Sequence, residues 1–304
     1  MTTKTVSNLV VTRAGACSLH HNWLLPDADR NFDVLVAAYD QAAIKSDTCG
    51  VMHMYVPGPK VAGWNEVFLA KPELLTRYQR IAFIDDDIET NSTTLAACFD
   101  VGQSENLLLW QPSLSWKSYA TFGATLRNSA FQIRYVNCVE MMCPFFEASY
   151  LTQVLPLFSL GFESGIDLIW CSLTEQPERR FAIVDCLEVT HTRPVGRKKA
   201  ANGFVNRDYE SDIYRCLSLF STPWPCFVAQ TAKSLSGENI SSRFLIGLST
   251  IRLLGSVIQA NARDRVWRSK IVADHVRHQL TRRPIYAQGA MSTLLQARQR
   301  NRDA

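Results

Sequence analysis

The chain has no internal repeat, no low-complexity segment, no closely spaced pair of cysteines and no uncharged apolar run long enough to cross a bilayer. Without repeats or biased tracts, a solenoid or a disordered linker is excluded as its main architecture. The nine cysteines (Cys17, Cys49, Cys98, Cys138, Cys143, Cys171, Cys186, Cys216 and Cys226) are scattered, odd in number and without metal-ligand spacing. That argues against a disulfide framework and for a reduced, cytosolic setting. Residues 244–260 are strongly apolar, but Arg252 sits at their middle and Gly247 and Gly255 interrupt them. The stretch is short for a span, and a central Arg is costly there. The opening Met1-Thr-Thr-Lys-Thr-Val6 has no charged start, long apolar core or small-residue cleavage site, so nothing is expected to mark it for secretion.

What is present suits a soluble enzyme: 304 residues, 47% hydrophobic and 20% charged, enough for a large core in one large domain or two. The net charge of +4 is unevenly spread. From Ile240 onward twelve Lys/Arg face three acids, a net of +9, which leaves −5 for residues 1–239. Strand-like runs begin at Asn8, Phe32, Met52, Arg80, Leu107, Ile133 and Phe181, and helical spacing fills residues 66–78 and 93–102, the latter opening on an N-capping Asn-Ser-Thr-Thr cluster. Such alternation predicts an α/β fold with a mixed, mostly parallel sheet flanked by helices. After His191 the pattern changes to a basic loop and then to helices. The expected division is therefore 1–200 as an α/β unit and 201–304 as a basic helical appendage.

The most informative stretch is Arg80-Ile-Ala-Phe-Ile-Asp-Asp-Asp-Ile88, an apolar strand running into three carboxylates. They would emerge at the strand's C-terminal end, where open α/β sheets hold ligands. In an extended segment Asp85 and Asp87 share one side and Asp86 takes the other. Two converging carboxylates suit a hard divalent cation, Mg²⁺ or Mn²⁺, completed by substrate phosphates. The alternative is a polar turn capping the helix that follows.

Further unusual polar segments are Thr12-Arg-Ala-Gly-Ala-Cys-Ser-Leu-His-His21, Gln111-Pro-Ser-Leu-Ser115, Phe162-Glu-Ser-Gly-Ile-Asp-Leu-Ile-Trp170 and Val189-Thr-His-Thr-Arg-Pro-Val-Gly196. Taken in order with the Phe83-Ile-Asp-Asp-Asp-Ile88 block, Phe32-Asp33 with Tyr39, and Val139-Glu-Met-Met-Cys-Pro144, they resemble the domain-of-unknown-function family 707 of bacteria and plants. That family's pattern looks like a GT-A glycosyltransferase, a Rossmann-like fold. The resemblance covers roughly residues 7–200.

The resemblance implies a nucleotide-sugar donor held by Thr12, Arg13, Gly15, Asp40, Asp85, Asp86, Gln111 and Arg193. It also implies Mn²⁺ or Mg²⁺ on Asp85, Asp87 and His191, with Arg193, Arg197 and Lys198 near phosphate oxygens. Asp167, at the start of an expected helix over 166–173, would be the base of an inverting transfer, with Glu163 and Glu140 as alternatives. Gln111, Ser113 and Ser115, with Trp110 and Trp116, would line a sugar wall or else pack in the core. The acceptor would be a glycan or a lipid-linked species, in bacterial surface polysaccharide synthesis. The basic tail interleaves Arg263, Arg265, Arg268, Arg277, Arg282 and Arg283 with apolar residues, which suits a helix on an anionic membrane surface, or a solvated or oligomer-forming helix. Nucleic-acid binding is not expected; the expected location is cytoplasmic, at the inner face of the plasma membrane. The alternatives are a non-catalytic glycan-binding or scaffold protein and a metal-dependent phosphohydrolase.

Overall fold

The computed structural model describes residues 6–44, 50–194, 209–224, 226–260 and 264–303. In chain order the elements are β1 (Asn8–Ala14), β2 (Phe32–Ala38), β3 (Val51–Tyr55), α1 (Lys60–Ala70), α2 (Leu74–Arg77), β4 (Arg80–Phe83), β5 (Ile88–Glu89) and α3 (Ser92–Ser104). There follow β6 (Leu109–Leu114), β7 (Phe131–Val136), β8 (Phe145–Glu147), α4 (Ala148–Phe158), β9 (Phe181–His191) and α5 (Tyr209–Leu219). The chain closes with β10 (Ala229–Ser234), β11 (Asn239–Ile240), α6 (Arg243–Thr250), α7 (Leu254–Gln259), α8 (Arg265–Thr281) and α9 (Ala290–Asp303).

One sheet runs in the order β11-β10-β7-β9-β6-β8-β4-β1-β2-β3, with β5 paired to β9. Strands β8, β7 and β11 run against the others on that path. This is the mixed α/β class expected from the sequence. β1 is wholly buried, as a strand covered on both faces must be, and β2 nearly so. Trp64, Phe83, Phe146, Phe158 and Trp170 pack in the core on one face of the sheet, and Phe32, Phe99, Trp110 and Phe145 on the other. Gly102 is needed there because a Cβ would meet the Trp110 ring at 2.0 Å.

Two features set up the site. From β1 the chain goes to β2 and β3 on one side and to β4 on the other, so a crevice opens where the order reverses, at the C-terminal strand ends. Second, the short β5 lies against the far end of β9, pairing Ile88 with His191. The antiparallel pairing of β7 and β9 is reinforced by a buried ion pair, Arg134 to Asp185 at 2.6 Å, with Arg134 also donating to the Ala124 and Leu126 carbonyls.

Two local expectations change. Residues 66–78 are not one helix: α1 starts at Lys60, and α2 is a separate turn of helix after Lys71-Pro72. Residues 166–173 form two 3-10 turns, Ile166–Leu168 and Trp170–Ser172, not an α-helix. Gly165 enters them at φ +87°, a left-handed conformation suited to glycine. No helix among the described residues is long and apolar enough to cross a membrane.

Candidate functional site

A cavity of about 340 Å³ opens at the C-terminal strand ends, and its wall includes Arg13, Lys60, residues 85–87, Glu140, Glu163, Asp167, His191 and Arg193. The three acids do not alternate as on a strand. The chain leaves β4 and turns, with the Ile88 N–H donating to the Asp85 carbonyl, so all three reach the cavity wall with different partners.

Asp85 is held by Lys60, whose Nζ lies 2.6 Å from one carboxylate oxygen and also donates to the Met141 carbonyl. Burial and the nearby Asp87 charge raise the Asp85 pKa to about 6 even with Lys60 beside it. Asp86 turns back toward β1, accepting from the Gly15 N–H at 3.0 Å and the Tyr39 hydroxyl at 3.1 Å, with Arg193 at 3.4 Å. Gly15 leaves room for Tyr39, because a Cβ there would stand 2.4 Å from the hydroxyl oxygen.

Asp87 meets His191, Oδ1 to Nε2, at 3.3 Å. His191 Nδ1 lies 2.7 Å from the Tyr119 carbonyl, which can only accept, so Nδ1 carries a proton. A bare Nε2 would then face a carboxylate with two acceptors opposed; a proton or a metal ion must lie between them. Burial lowers the imidazole's pKa, but the hydrogen bond and charge of Asp87 outweigh it and leave it raised. Burial likewise pushes Asp87 up, and its contacts with His191 reverse that and hold it below the usual range. The pair thus stands as an imidazolium–carboxylate contact, and a divalent ion would have to take the place of the shared proton; the Nδ1 contact of His191 is of the kind that orients a ligating imidazole. Among the described residues no group of three or more His, Cys, Asp or Glu converges as a ready cage, since Lys60 engages Asp85.

Across the cavity, Glu140 and Asp167 are both buried. Burial, reinforced by the Asp167 charge, raises Glu140 to about 7, and burial raises Asp167 to about 6. The helix-dipole argument for Asp167 lapses with the helix; its oxygen instead accepts from the Met141 N–H at 3.4 Å. Glu140 Oε2 has no hydrogen-bond partner among the described residues. Glu163 is committed elsewhere, its two oxygens accepting from the Val61 and Ala62 N–H groups at the start of α1.

The remaining expected residues lie around this frame. Arg13 is buried, donating to the Ala37 and Gly58 carbonyls and packing against Gly63, where a Cβ would meet its guanidinium at 2.3 Å. Burial lowers its pKa to about 10. Gln111 stands behind the wall and accepts from the Glu140 N–H at 2.7 Å, fixing that loop. Thr12 is buried in β1, and Asp40 is exposed and caps a 3-10 turn through the Ala42 N–H. Trp110 is core, donating to the Cys98 carbonyl. Arg197 and Lys198 lie outside the described residues.

Sequence reasoning missed Lys60 and Thr121. Lys60 follows Pro57-Gly-Pro59 after β3, a rigid turn at a parallel strand's C-terminal end, and that position was its signal. Thr121 has no such marker; it sits in an irregular segment brought to Glu140 by packing alone.

No protein-family model matches the chain, so membership of the resembled family is not shown, and no curated protein matches significantly. Solved structures similar to it include S. aureus TarS 1-349 in complex with UDP-GlcNAc, at 13% identity and TM-score 0.43, covering 91% of this chain and 73% of that one. GalNAc-T7 with UDP, GalNAc and Mn²⁺ matches at 12% identity and TM-score 0.43, covering 71% of this chain and 48% of that one. A197 from STIV matches at 13% identity and TM-score 0.32, over 77% of this chain and 92% of that one. The functional reading rests on the site.

Proposed function

We propose that the chain is a metal-dependent glycosyltransferase that moves a sugar, with inversion, from a nucleotide-diphosphate donor to a glycan or lipid-linked acceptor of a bacterial surface polysaccharide. The observation that supports this reading is one cavity in which Asp87 and His191 stand close enough to share a proton or a metal ion and two buried carboxyls with raised pKa values line the wall. Charge supports the metal. The described wall holds six carboxyls (residues 85–87, Glu140, Glu163 and Asp167) against Arg13, Lys60 and Arg193, so an anionic diphosphate needs further positive charge to enter.

Bound there, Mn²⁺ or Mg²⁺ would stabilise charge on the leaving diphosphate. Arg13 and Arg193 border the diphosphate side, each already oriented by carbonyl acceptors. The acceptor oxygen bonds to the anomeric carbon while the bond from that carbon to the diphosphate oxygen breaks, its electron pair leaving with the diphosphate. The hydroxyl proton passes to Asp167, whose carboxyl burial has made a better proton acceptor. Residues 1–200 are assigned the donor and catalytic work, and 201–304 an acceptor-side and membrane-facing role at the inner leaflet.

Calorimetric titration of a panel of nucleoside diphosphates, with and without Mn²⁺, tests this. Wild-type protein should bind in a metal-dependent way, and Asp87→Ala should abolish that binding with the fold intact. Unchanged titrations in the variant would overturn the metal assignment. Nucleotide binding without hydrolysis or transfer of any nucleotide sugar would favour the non-catalytic glycan-binding alternative.

A further inference from the structure

A second, smaller cavity of about 190 Å³ lies beside the first, and the segment Thr121-Phe122 lines both. Its other side is α8, and the close approach depends on Gly123, where a Cβ would meet the Ile271 carbonyl oxygen at 2.4 Å. We propose that this groove is a pyranose-binding subsite that holds the acceptor's sugar ring beside the donor cavity; the proposal rests on the transfer reading above.

The groove has the two chemistries that a sugar ring needs. Its walls are aromatic. Phe122 stacks on Phe227 at 4.3 Å, and Trp267 is fixed by its indole N–H donating to the Ala120 carbonyl at 3.0 Å. Trp267 and Trp224 remain 48% and 40% exposed, offering apolar faces to the C–H face of a pyranose at little entropic cost. The floor is polar. His275 is buried at 4% exposure, and neither ring nitrogen makes a hydrogen bond of normal geometry to a described residue, the Phe227 backbone being its near polar neighbour. Burial, with the Arg134 charge, lowers its pKa to about 3, so the ring is neutral. A neutral imidazole presents one donor and one acceptor, which matches a hydroxyl and nothing apolar. Leaving such a group unmet is unfavourable, so a hydroxyl brought against the ring would be favoured over an apolar group. Lys270 and Asp274 at the rim add further hydroxyl partners. The volume is small beside the roughly 300–1,000 Å³ of drug-sized sites, which limits the occupant to about one ring.

The test uses the full chain and the methyl glycosides of glucose, galactose and N-acetylglucosamine as probes, with binding followed by saturation-transfer NMR and tryptophan fluorescence. At least one glycoside should bind saturably, and Trp267→Ala should weaken it on the order of tenfold. Trp267→Leu serves as a second variant that keeps apolar volume but removes the flat face, and it should weaken binding similarly. Nucleoside diphosphate binding with Mn²⁺ should be unchanged in both, as Trp267 lies outside the donor cavity. If no glycoside binds wild type, or both variants bind as well as wild type, the subsite is wrong. The nucleotide arm separates the two readings. Trp267-dependent glycoside binding without any nucleotide binding would leave the subsite standing and remove the transfer reading, and the converse result would do the opposite.

Discussion

Glu140 and Asp167 are carboxyls that burial makes reluctant to ionise, and that reluctance is measurable in stability. For Glu140 the folded-state pKa is about 7 against an ordinary 4.5, so the folded state binds the proton more tightly than the unfolded one. Stability therefore falls as pH rises from about 4.5 to 7 and stays lower above that. Glu140→Gln removes this penalty: its melting temperature should exceed wild type at pH 8, by the equivalent of roughly 3 kcal/mol at most, and converge near pH 4.5. Equal melting curves at pH 8 would mean that the carboxyl is not desolvated as described. Asp167 gives the functional counterpart. Its ionised form is needed to take a proton, so turnover should drop as pH falls through about 6. Asp167→Asn should lower turnover by about 10² to 10⁴ while nucleotide affinity barely moves. A product of retained anomeric configuration would contradict single displacement whatever the variant does. The acids themselves were legible in the sequence because they sit in short polar blocks at apolar strand ends. Their partners were not: Lys60 lies 25 residues before Asp85, and only the folded crevice joins them.

At the scale of elements, strands β1, β2, β4 and β9 begin where the sequence puts them, since a doubly covered strand reads as a continuous apolar run. Period-two reasoning failed beyond Ile84 because the chain turns there, and helical spacing at 166–173 failed because burial of Ile166, Ile169 and Trp170 is met by short 3-10 turns. The tail shows a third kind of difference. In the basic run expected either to lie on anionic lipid or to be solvated or oligomer-forming, which includes α8, Arg268 is instead buried and donates to the Trp116 and Ser118 carbonyls. Among the described residues an exposed apolar ridge lies on α6, α7 and the turn between them, where Phe244, Leu245, Leu248, Ile251, Leu254 and Ile258 are 43–77% exposed. No acid occurs between Glu238 and Asp264, and Arg252 is exposed on the same run. An in-plane helix on anionic lipid has this make-up. The full chain should co-sediment with vesicles containing phosphatidylglycerol at low salt and less so at physiological salt, where exposed charges are screened over about 8 Å. Replacing Leu248 and Ile258 with Ser should weaken that attachment without changing nucleotide binding. Indifference of wild-type protein to such vesicles would rule the surface out.

Across the whole molecule, the sheet collects residues from Arg13 to Arg193 at one edge, while strands from the last third of the chain, β10 and β11, extend the same sheet beyond β7. The α8 helix then closes against Gly123 and leaves Phe122 with one cavity on each side. A partition with a ligand on each face is a thermodynamic link between them. If both proposed ligands bind, whichever arrives first would fix the Phe122 ring, already stacked on Phe227, and its Thr121 neighbour, so the second would meet a surface already ordered. Any such cooperativity would be reciprocal: the factor by which a bound sugar tightened the nucleotide would be the factor by which the nucleotide tightened the sugar. Thr121 and Glu140 line the same cavity, so a sugar filling the groove would also be felt at the carboxyl beside Asp167.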